Sequence, residues 1–272
     1  MKKVSKVIIP CGGLGSRMAP ATLFYPKEVL PIGCTPIIYF IIDEAIDADI
    51  EEIIIISNKN KQLLDKIVLD HCNKLGLKVN IIYQDKPKGL GHAILCAKDL
   101  IKNNPFAVIL PDNIIYNDNS ATKQLINIYN KHGNSIIGVQ GVPKSKVINY
   151  GIIDPIYTNN RRLYYLNNVV EKPEAKNSPS NMAIMGRYIF TPNIFDFLNK
   201  VKPDHKGEIQ LTDAIRELNK SDSVQAYTVR GKWYDTGNPS GYIETILGIS
   251  LHHKDLKDGL LRALKGLTLH AK

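Results

Sequence analysis

An α/β fold, with a mixed, mostly parallel central sheet flanked by helices, is predicted from three observations. Short apolar runs alternate with longer amphipathic stretches up to residue 142, the rhythm of βαβ units. A glycine-rich turn follows directly on the first apolar run. From Asn149 the rhythm shifts toward strands before helices resume, which makes the sheet mixed.

Residues 4–10 read as a buried strand leading into the turn from Cys11 to Gly15. Thr35-Pro36 opens a helix to residue 48, with Ile37, Ile41, Ile42 and Ala45 on one face. Residues 53–56, four consecutive isoleucines, are a strand, and 59–74 a helix. A third strand, 79–83, precedes a helix over 90–101, and a fourth, 106–110, ends at Pro111-Asp112. Helix 120–132 and strand 135–142 complete the regular pattern. Strands at 151–153, 162–170 and 183–190 follow, then helices at 192–200 and 208–219 and a strand at 224–229. Two helices, 239–250 and 254–269, end the sequence. With no internal repeat or low-complexity linker, residues 1–250 are expected to form one catalytic domain and 251–272 a helical extension.

The 272 residues are 44% hydrophobic and 22% charged, which excludes a disordered or collagen-like chain and suffices for a sizeable core. The apolar run after Met-Lys-Lys-Val-Ser-Lys stops at Pro10, too short for a signal peptide, and no stretch approaches a membrane span. A cytoplasmic location is the expectation. Cysteines 11, 34, 72 and 96 form no CxxC pair and read as reduced, mostly buried thiols rather than zinc ligands. The formal charge of +9 admits nucleic acid, an anionic membrane surface, small polyanions, or solubility alone. Nucleic-acid binding predicts clustered Lys and Arg with interleaved aromatics, and neither occurs.

Three clusters carry chemistry. In Cys11-Gly-Gly-Leu-Gly-Ser-Arg-Met18 the glycines let backbone N–H groups approach a phosphate, and Arg17 adds a permanent cation. The segment satisfies neither the P-loop nor the dinucleotide pattern, so the glycines alone also fit a plain βα connection. Lys27, held between Pro26 and Pro31, adds a second cation. In Gln84-Asp-Lys-Pro-Lys-Gly-Leu-Gly-His-Ala93, an amide and a glycine turn stand at a strand's carboxyl end, where open α/β sheets bind ligands. Gln84 can read a pyrimidine edge or be an exposed loop residue, and His92 reads as a structural residue at a helix start. Asp112, ending a buried strand, suits Mg²⁺ or a turn, with Asp235 in Trp233-Tyr-Asp-Thr-Gly237 a candidate second ligand.

These segments occur in one order with Pro26-Lys-Glu-Val-Leu-Pro31, Glu171-Lys-Pro173, Ser180-Asn-Met-Ala-Ile-Met-Gly-Arg-Tyr188 and Gly207-Glu-Ile-Gln-Leu-Thr-Asp-Ala-Ile215. Over roughly residues 4–250 the sequence resembles the sugar-1-phosphate nucleotidylyltransferase family, its uridylyl branch more than its thymidylyl branch. The resemblance implies a Rossmann-like fold of the nucleotide-diphospho-sugar transferase type. It also implies transfer of UMP from UTP to a hexose-1-phosphate with Mg²⁺, releasing pyrophosphate. Gly12, Gly13, Gly15 and Ser16 would hold the triphosphate, with Arg17 and Lys27 on its phosphates and Gln84 and Gly89 on the base. Gly151, Glu171 and Lys172 would hold the sugar phosphate, and Asp112 and Asp235 the metal. A homo-oligomer, dimer or tetramer, is expected from the same resemblance.

The sequence departs from the family pattern at three places. Thr22-Leu-Phe-Tyr-Pro26 lacks the Lys common there, Asp235-Thr-Gly237 resembles the thymidylyl branch, and the stretch between Lys59 and Val79 is short. Glucose-1-phosphate is the expected acceptor, with N-acetylglucosamine-1-phosphate and use of dTTP the rivals. The last helix places Leu256, Leu260, Leu264 and Leu267 at helical spacing within a basic segment, expected to pack on the body or on a sister subunit rather than on a membrane.

Overall fold

Runs of β-branched residues too short for helices assemble one nine-stranded sheet, and the helices between them cover both its faces. The computed structural model describes residues 1–270, with side chains to Gly266; Leu267 as a side chain and Lys272 lie outside the described residues. β1 (Lys6–Pro10) is followed by three 3-10 turns, Ser16–Met18, Ala21–Leu23 and Lys27–Val29, then by β2 (Pro31–Ile32) and β3 (Thr35–Pro36). Next come α1 (Ile37–Asp47), β4 (Glu52–Ser57), α2 (Gln62–Lys74), β5 (Lys78–Tyr83), α3 (Gly89–Leu95) and α4 (Lys98–Ile101). β6 (Phe106–Ile109), β7 (Asn113–Tyr116), α5 (Ala121–His132) and β8 (Ile136–Gly141) follow. After a 3-10 turn, Lys144–Asn149, come β9 (Gly151–Tyr157), β10 (Leu163–Glu171), β11 (Met182–Phe190), α6 (Ile194–Leu198) and α7 (Leu211–Ser221). β12 (Gln225–Thr228), β13 (Lys232–Asp235), α8 (Pro239–His252) and α9 (Lys254–His270) complete the order.

The sheet runs β5-β4-β1-β6-β11-β8-β12-β10-β9. β11 and β10 oppose the other seven strands, so the sheet is mixed with one prevailing direction. Side chains alternate across a strand, and both faces here are apolar. Val7, Ile9, Ile53 and Ile55 enter one core with α1 and α5. Ile8, Ile54 and Ile56 enter the other with α3, α6 and α7. That two-sided burial explains why β4 reads as an unbroken isoleucine run. The order of strand addition reverses beside β1, with β4 on one side and β6 on the other, the position where such sheets open a ligand crevice.

Several boundaries differ from expectation. Thr35-Pro36 does not open a helix: Thr35 and Pro36 pair with Ile32 and Pro31 across a turn, and α1 begins at Ile37. The helix expected over 90–101 is two, α3 and α4, broken where Ala97 N–H bonds Ile94 O in a tight turn. β9 runs on to Tyr157 as a sheet edge, where Pro155 costs no needed ladder bond. Cys11 and Cys72 are buried, Cys96 is half-buried, and Cys34 is exposed in the β2–β3 turn. Besides the short β2 and β3, the strands β7 and β13 were not foreseen. They pair antiparallel outside the main sheet, with Asn113 opposite Asp235. α9 packs its start on the body, Leu256 lying against Gly33, while Leu264 is 39% exposed.

Candidate active site

Two cavities open above the carboxyl ends of β1, β5 and β6. The first, about 520 Å³, is walled by the glycine turn after β1, by Gln84 and by the Gly89 loop. The second, about 630 Å³, lies among Tyr150, Gly151, Glu171, Lys172 and Asp235. Ser16, Arg17, Asp112 and Glu208 line both, so the two form one continuous crevice.

Of the residues expected on the nucleotide side, Gly12, Gly13, Ser16, Arg17, Lys27, Gln84 and Gly89 line the first cavity. Gly15 sits behind the loop. Its left-handed φ of 68° starts the 3-10 turn that carries Ser16 and Arg17, and its carbonyl accepts from Thr22 Oγ1 at 2.9 Å. Gln84 is buried rather than an exposed loop residue, at 5% exposure. Its Nε2 donates to Gly89 O at 3.3 Å and faces His92 Nδ1 at 2.9 Å. A Cβ on Gly12 would stand 2.8 Å from Gln84 Oε1, so the bare backbone there is what admits the amide.

Lys27 and Asp112 meet at the floor. Lys27 Nζ donates to Asp112 Oδ2 at 2.7 Å, and Asn113 Nδ2 donates to Oδ1 at 3.0 Å. Burial alone would raise the Asp112 pKa, but the charge and hydrogen bond of Lys27, with Arg17 behind them, hold it below the ordinary carboxylate value. Burial likewise opposes the charge on Lys27, and Asp112 and Glu28 overcome it, so the ammonium is held above its usual pKa. Both groups are therefore charged at neutral pH. The turn bearing Lys27 is clamped by its neighbour Glu28, 1% exposed, which accepts from Lys61 Nζ at 2.9 and 3.0 Å.

The β7–β13 ladder delivers Asp235 to the same place. Thr236 donates to Asp112 O through its N–H at 2.8 Å and its hydroxyl at 3.0 Å. Asp235 Oδ1, Asp112 Oδ2 and Arg17 Nη2 all lie within 3.2 Å of the point a Cβ on Gly237 would occupy. Asp235 accepts from Gly237 N–H at 2.8 Å and from Tyr150 hydroxyl at 2.9 Å, one bond per oxygen. Each carboxylate oxygen of the two aspartates thus keeps a lone pair unused by these bonds, and Asp235 Oδ1 and Asp112 Oδ2 border the gap. No group of three or more His, Cys, Asp or Glu is clustered for metal binding among the described residues. Two hard carboxylates, with phosphate and water left to complete the shell, fit the chemistry of Mg²⁺.

In the second cavity Gly151 stands opposite Glu171 across β9 and β10. A Cβ at Gly151 would come within 3.2 Å of Glu171 Oε2, so glycine keeps that carboxylate clear. Lys172 Nζ lies 3.1 Å from Glu171 Oε1 and is largely exposed. Its backbone has φ 45°, unusual for a non-glycine residue, and is held by a 3.0 Å bond from its N–H to Tyr150 O.

Several contributors escaped the sequence reading. Asn113, Tyr150 and Trp233 orient the carboxylates: Trp233 Nε1 donates to Asn113 Oδ1 at 2.7 Å, and its ring packs 4.9 Å from that of Tyr150. Arg187, fully buried, grips Glu44 with two bonds of 2.9 and 2.8 Å and donates to the carbonyls of Leu110 and Asn113. The carbonyls on either side of the Asp112 turn are thereby fixed. The signal available was adjacency: Asn113 follows Asp112, Tyr150 precedes Gly151, and Arg187 lies in the Ser180–Tyr188 motif.

A sequence model described as Nucleotidyl transferase matches residues 6–250. The chain is 44% identical, over 287 aligned residues and 98% of both chains, to UTP–glucose-1-phosphate uridylyltransferase of Bacillus subtilis (strain 168). It is 45% identical to the protein of that name in Staphylococcus haemolyticus (strain JCSC1435), over 98% of this chain and 99% of that one. Among solved structures, a UDP-glucose pyrophosphorylase complexed with UDP-glucose superposes with a TM-score of 0.86 at 37% identity, covering 92% of this chain and 100% of that one. A UTP-bound UGPase from Acinetobacter baumannii gives 0.82 at 32% identity, over 99% and 100%.

Proposed function

The chain belongs to the nucleotidyl transferase family, and on that premise we propose that it transfers UMP from UTP to glucose-1-phosphate, giving UDP-glucose and pyrophosphate. One observation carries the reading: two cavities, one walled by a glycine turn and one by Glu171 and Lys172, share Arg17 and Asp112 as a common wall. Such a crevice places two phosphorylated substrates end to end.

In this reading the backbone of Gly12, Gly13 and Ser16 cradles the triphosphate, while Gly15 shapes the turn. Gln84 and Gly89 receive uracil. Glu171 holds sugar hydroxyls, and Lys172 leaves it to meet the sugar phosphate. That phosphate is already ionised near neutral pH, so its oxygen attacks the α-phosphorus in line with departing pyrophosphate without a general base. The barrier is mutual repulsion and misalignment. Arg17 and Lys27 offset the first by placing fixed positive charge along the phosphates. Holding both substrates in line addresses the second, and positioning of this kind contributes up to about 7–11 kcal/mol. Mg²⁺ bound at Asp112 and Asp235 would supply further charge neutralisation of the phosphates. Residues 1–250 carry this chemistry, residues 251–272 serve packing, and the enzyme works in the cytoplasm as a homo-oligomer.

The test is pyrophosphate release by purified protein. UTP and dTTP are assayed against glucose-, galactose- and N-acetylglucosamine-1-phosphate, with Mg²⁺ and with EDTA. UTP with glucose-1-phosphate should give the highest kcat/KM, and EDTA should abolish turnover reversibly. A clear preference for another sugar, or undiminished rate in EDTA, overturns the corresponding part.

A further inference from the structure

We infer that His92 is a positioning residue that fixes the polarity of the Gln84 amide, turning a side chain that could accept or donate into one that only accepts toward the base. Two neighbours set this polarity. Gly89 O, a pure acceptor on α3, stands 3.3 Å from Gln84 Nε2, so the amide nitrogen belongs on that side. His92 Nδ1 lies 2.9 Å from the same nitrogen and takes its second hydrogen. Cys96 Sγ, a weak donor 3.8 Å from that ring nitrogen, is compatible with an acceptor there. The NH₂ group is then fully used. Gln84 Oε1, against Gly12 in the wall of the first cavity, has no hydrogen-bond partner among the described residues and is left for a ligand.

The arrangement requires a neutral imidazole with its proton on Nε2. Burial, aided by the nearby Lys88 charge, lowers the His92 pKa and keeps it so.

An acceptor in that position discriminates among pyrimidines. Where Oε1 meets N3, uracil donates its N3–H, whereas cytosine presents a lone pair there and its only donor on that edge is the 4-amino group beside it. Rejection through a mismatched buried polar group is stronger than rejection by shape. Because thymine shares the N3–H, the device does not separate UTP from dTTP.

The inference rests on the proposal that this cavity receives the base of UTP, and the experiment separates the two. The kcat/KM ratio of UTP over CTP is measured at fixed pH for wild type, His92→Asn and His92→Lys, each checked by thermal melting. Asn can place an acceptor oxygen where Nδ1 was and should keep the ratio. Lys offers only donors and should lower it about tenfold or more, through KM for the nucleotide, with KM for the sugar phosphate unchanged. A folded His92→Lys protein with the wild-type ratio overturns the inference. Nitrogen NMR of wild-type His92 gives an answer even if that variant fails to fold: an Nε2–H tautomer supports it, and a protonated Nδ1 overturns it. A wild type inactive with UTP would sink the functional reading instead.

Discussion

The crevice holds two lysine–carboxylate pairs, one in each cavity, and they are built differently. Lys27 and Asp112 sit 2.7 Å apart with side chains 17% and 19% exposed, the lysine turn clamped from below by Glu28 and Lys61. Lys172 and Glu171 sit 3.1 Å apart with 58% and 30% exposed. The first pair is organised before any substrate arrives. The second is a surface contact of the kind worth less than about 1 kcal/mol, so little would be lost if Lys172 left Glu171 for a phosphate. One cavity holds a sheltered, preset charge pair; the other holds an exposed pair that can exchange partners at little cost.

Breaking the sheltered pair should have the largest effect. Lys27→Met should lower kcat about a thousandfold, comparable to removing a preorganised charge stabiliser. It should also change the pH dependence. In the native site Asp112 ionises below the usual carboxylate pKa, so its ion pair persists at neutral pH and is lost only as pH falls through that lowered value. Without Lys27 the raising effect of burial dominates, so the acid limb of the kcat profile should move upward. An unmoved acid limb would mean that Lys27 does not set the Asp112 charge.

The exposed pair makes a smaller, more selective prediction. Lys172→Gly should cut kcat/KM for the sugar phosphate about a hundredfold while leaving KM for UTP nearly unchanged. Because glycine tolerates φ 45°, the same variant should be more stable to heat by about 1 kcal/mol. Steady-state kinetics with both substrates and a melting curve check the two halves. Smaller again is Tyr150→Phe, which keeps the ring against Trp233 and loses only the hydrogen bond to Asp235; about a tenfold drop in kcat is expected.

What was legible in the sequence follows the same division. The strands of the parallel half announced themselves because both their faces are buried, which forces unbroken apolar runs such as Ile53 to Ile56. Gly12, Arg17 and Gln84 lie in motifs following the carboxyl ends of strands, where open α/β sheets bind ligands, and Lys27 stood out between two prolines. β7 and β13 were missed because each has four residues and gains its partner only across the fold. Thr35-Pro36 carried the local pattern of a helix start, yet pairing with Pro31 and Ile32 overrode it. The roles of Asn113, Tyr150 and Glu28 depend on Trp233, Asp235 and Lys61, and no local pattern encodes those meetings.

The β7–β13 ladder also bears on how the protein is made. Asp112 and the Thr236 that anchors it are separated by 124 residues. At roughly 5–20 residues per second, a ribosome needs about 6–25 s to pass from one to the other. During that interval the glycine turn and Gln84 already exist, but the partner that completes the carboxylate pair has not been synthesised. The wall of the first cavity also waits for Glu208 and the carboxylate pair for Asp235, so the crevice is complete only when about the last seventh of the polypeptide arrives.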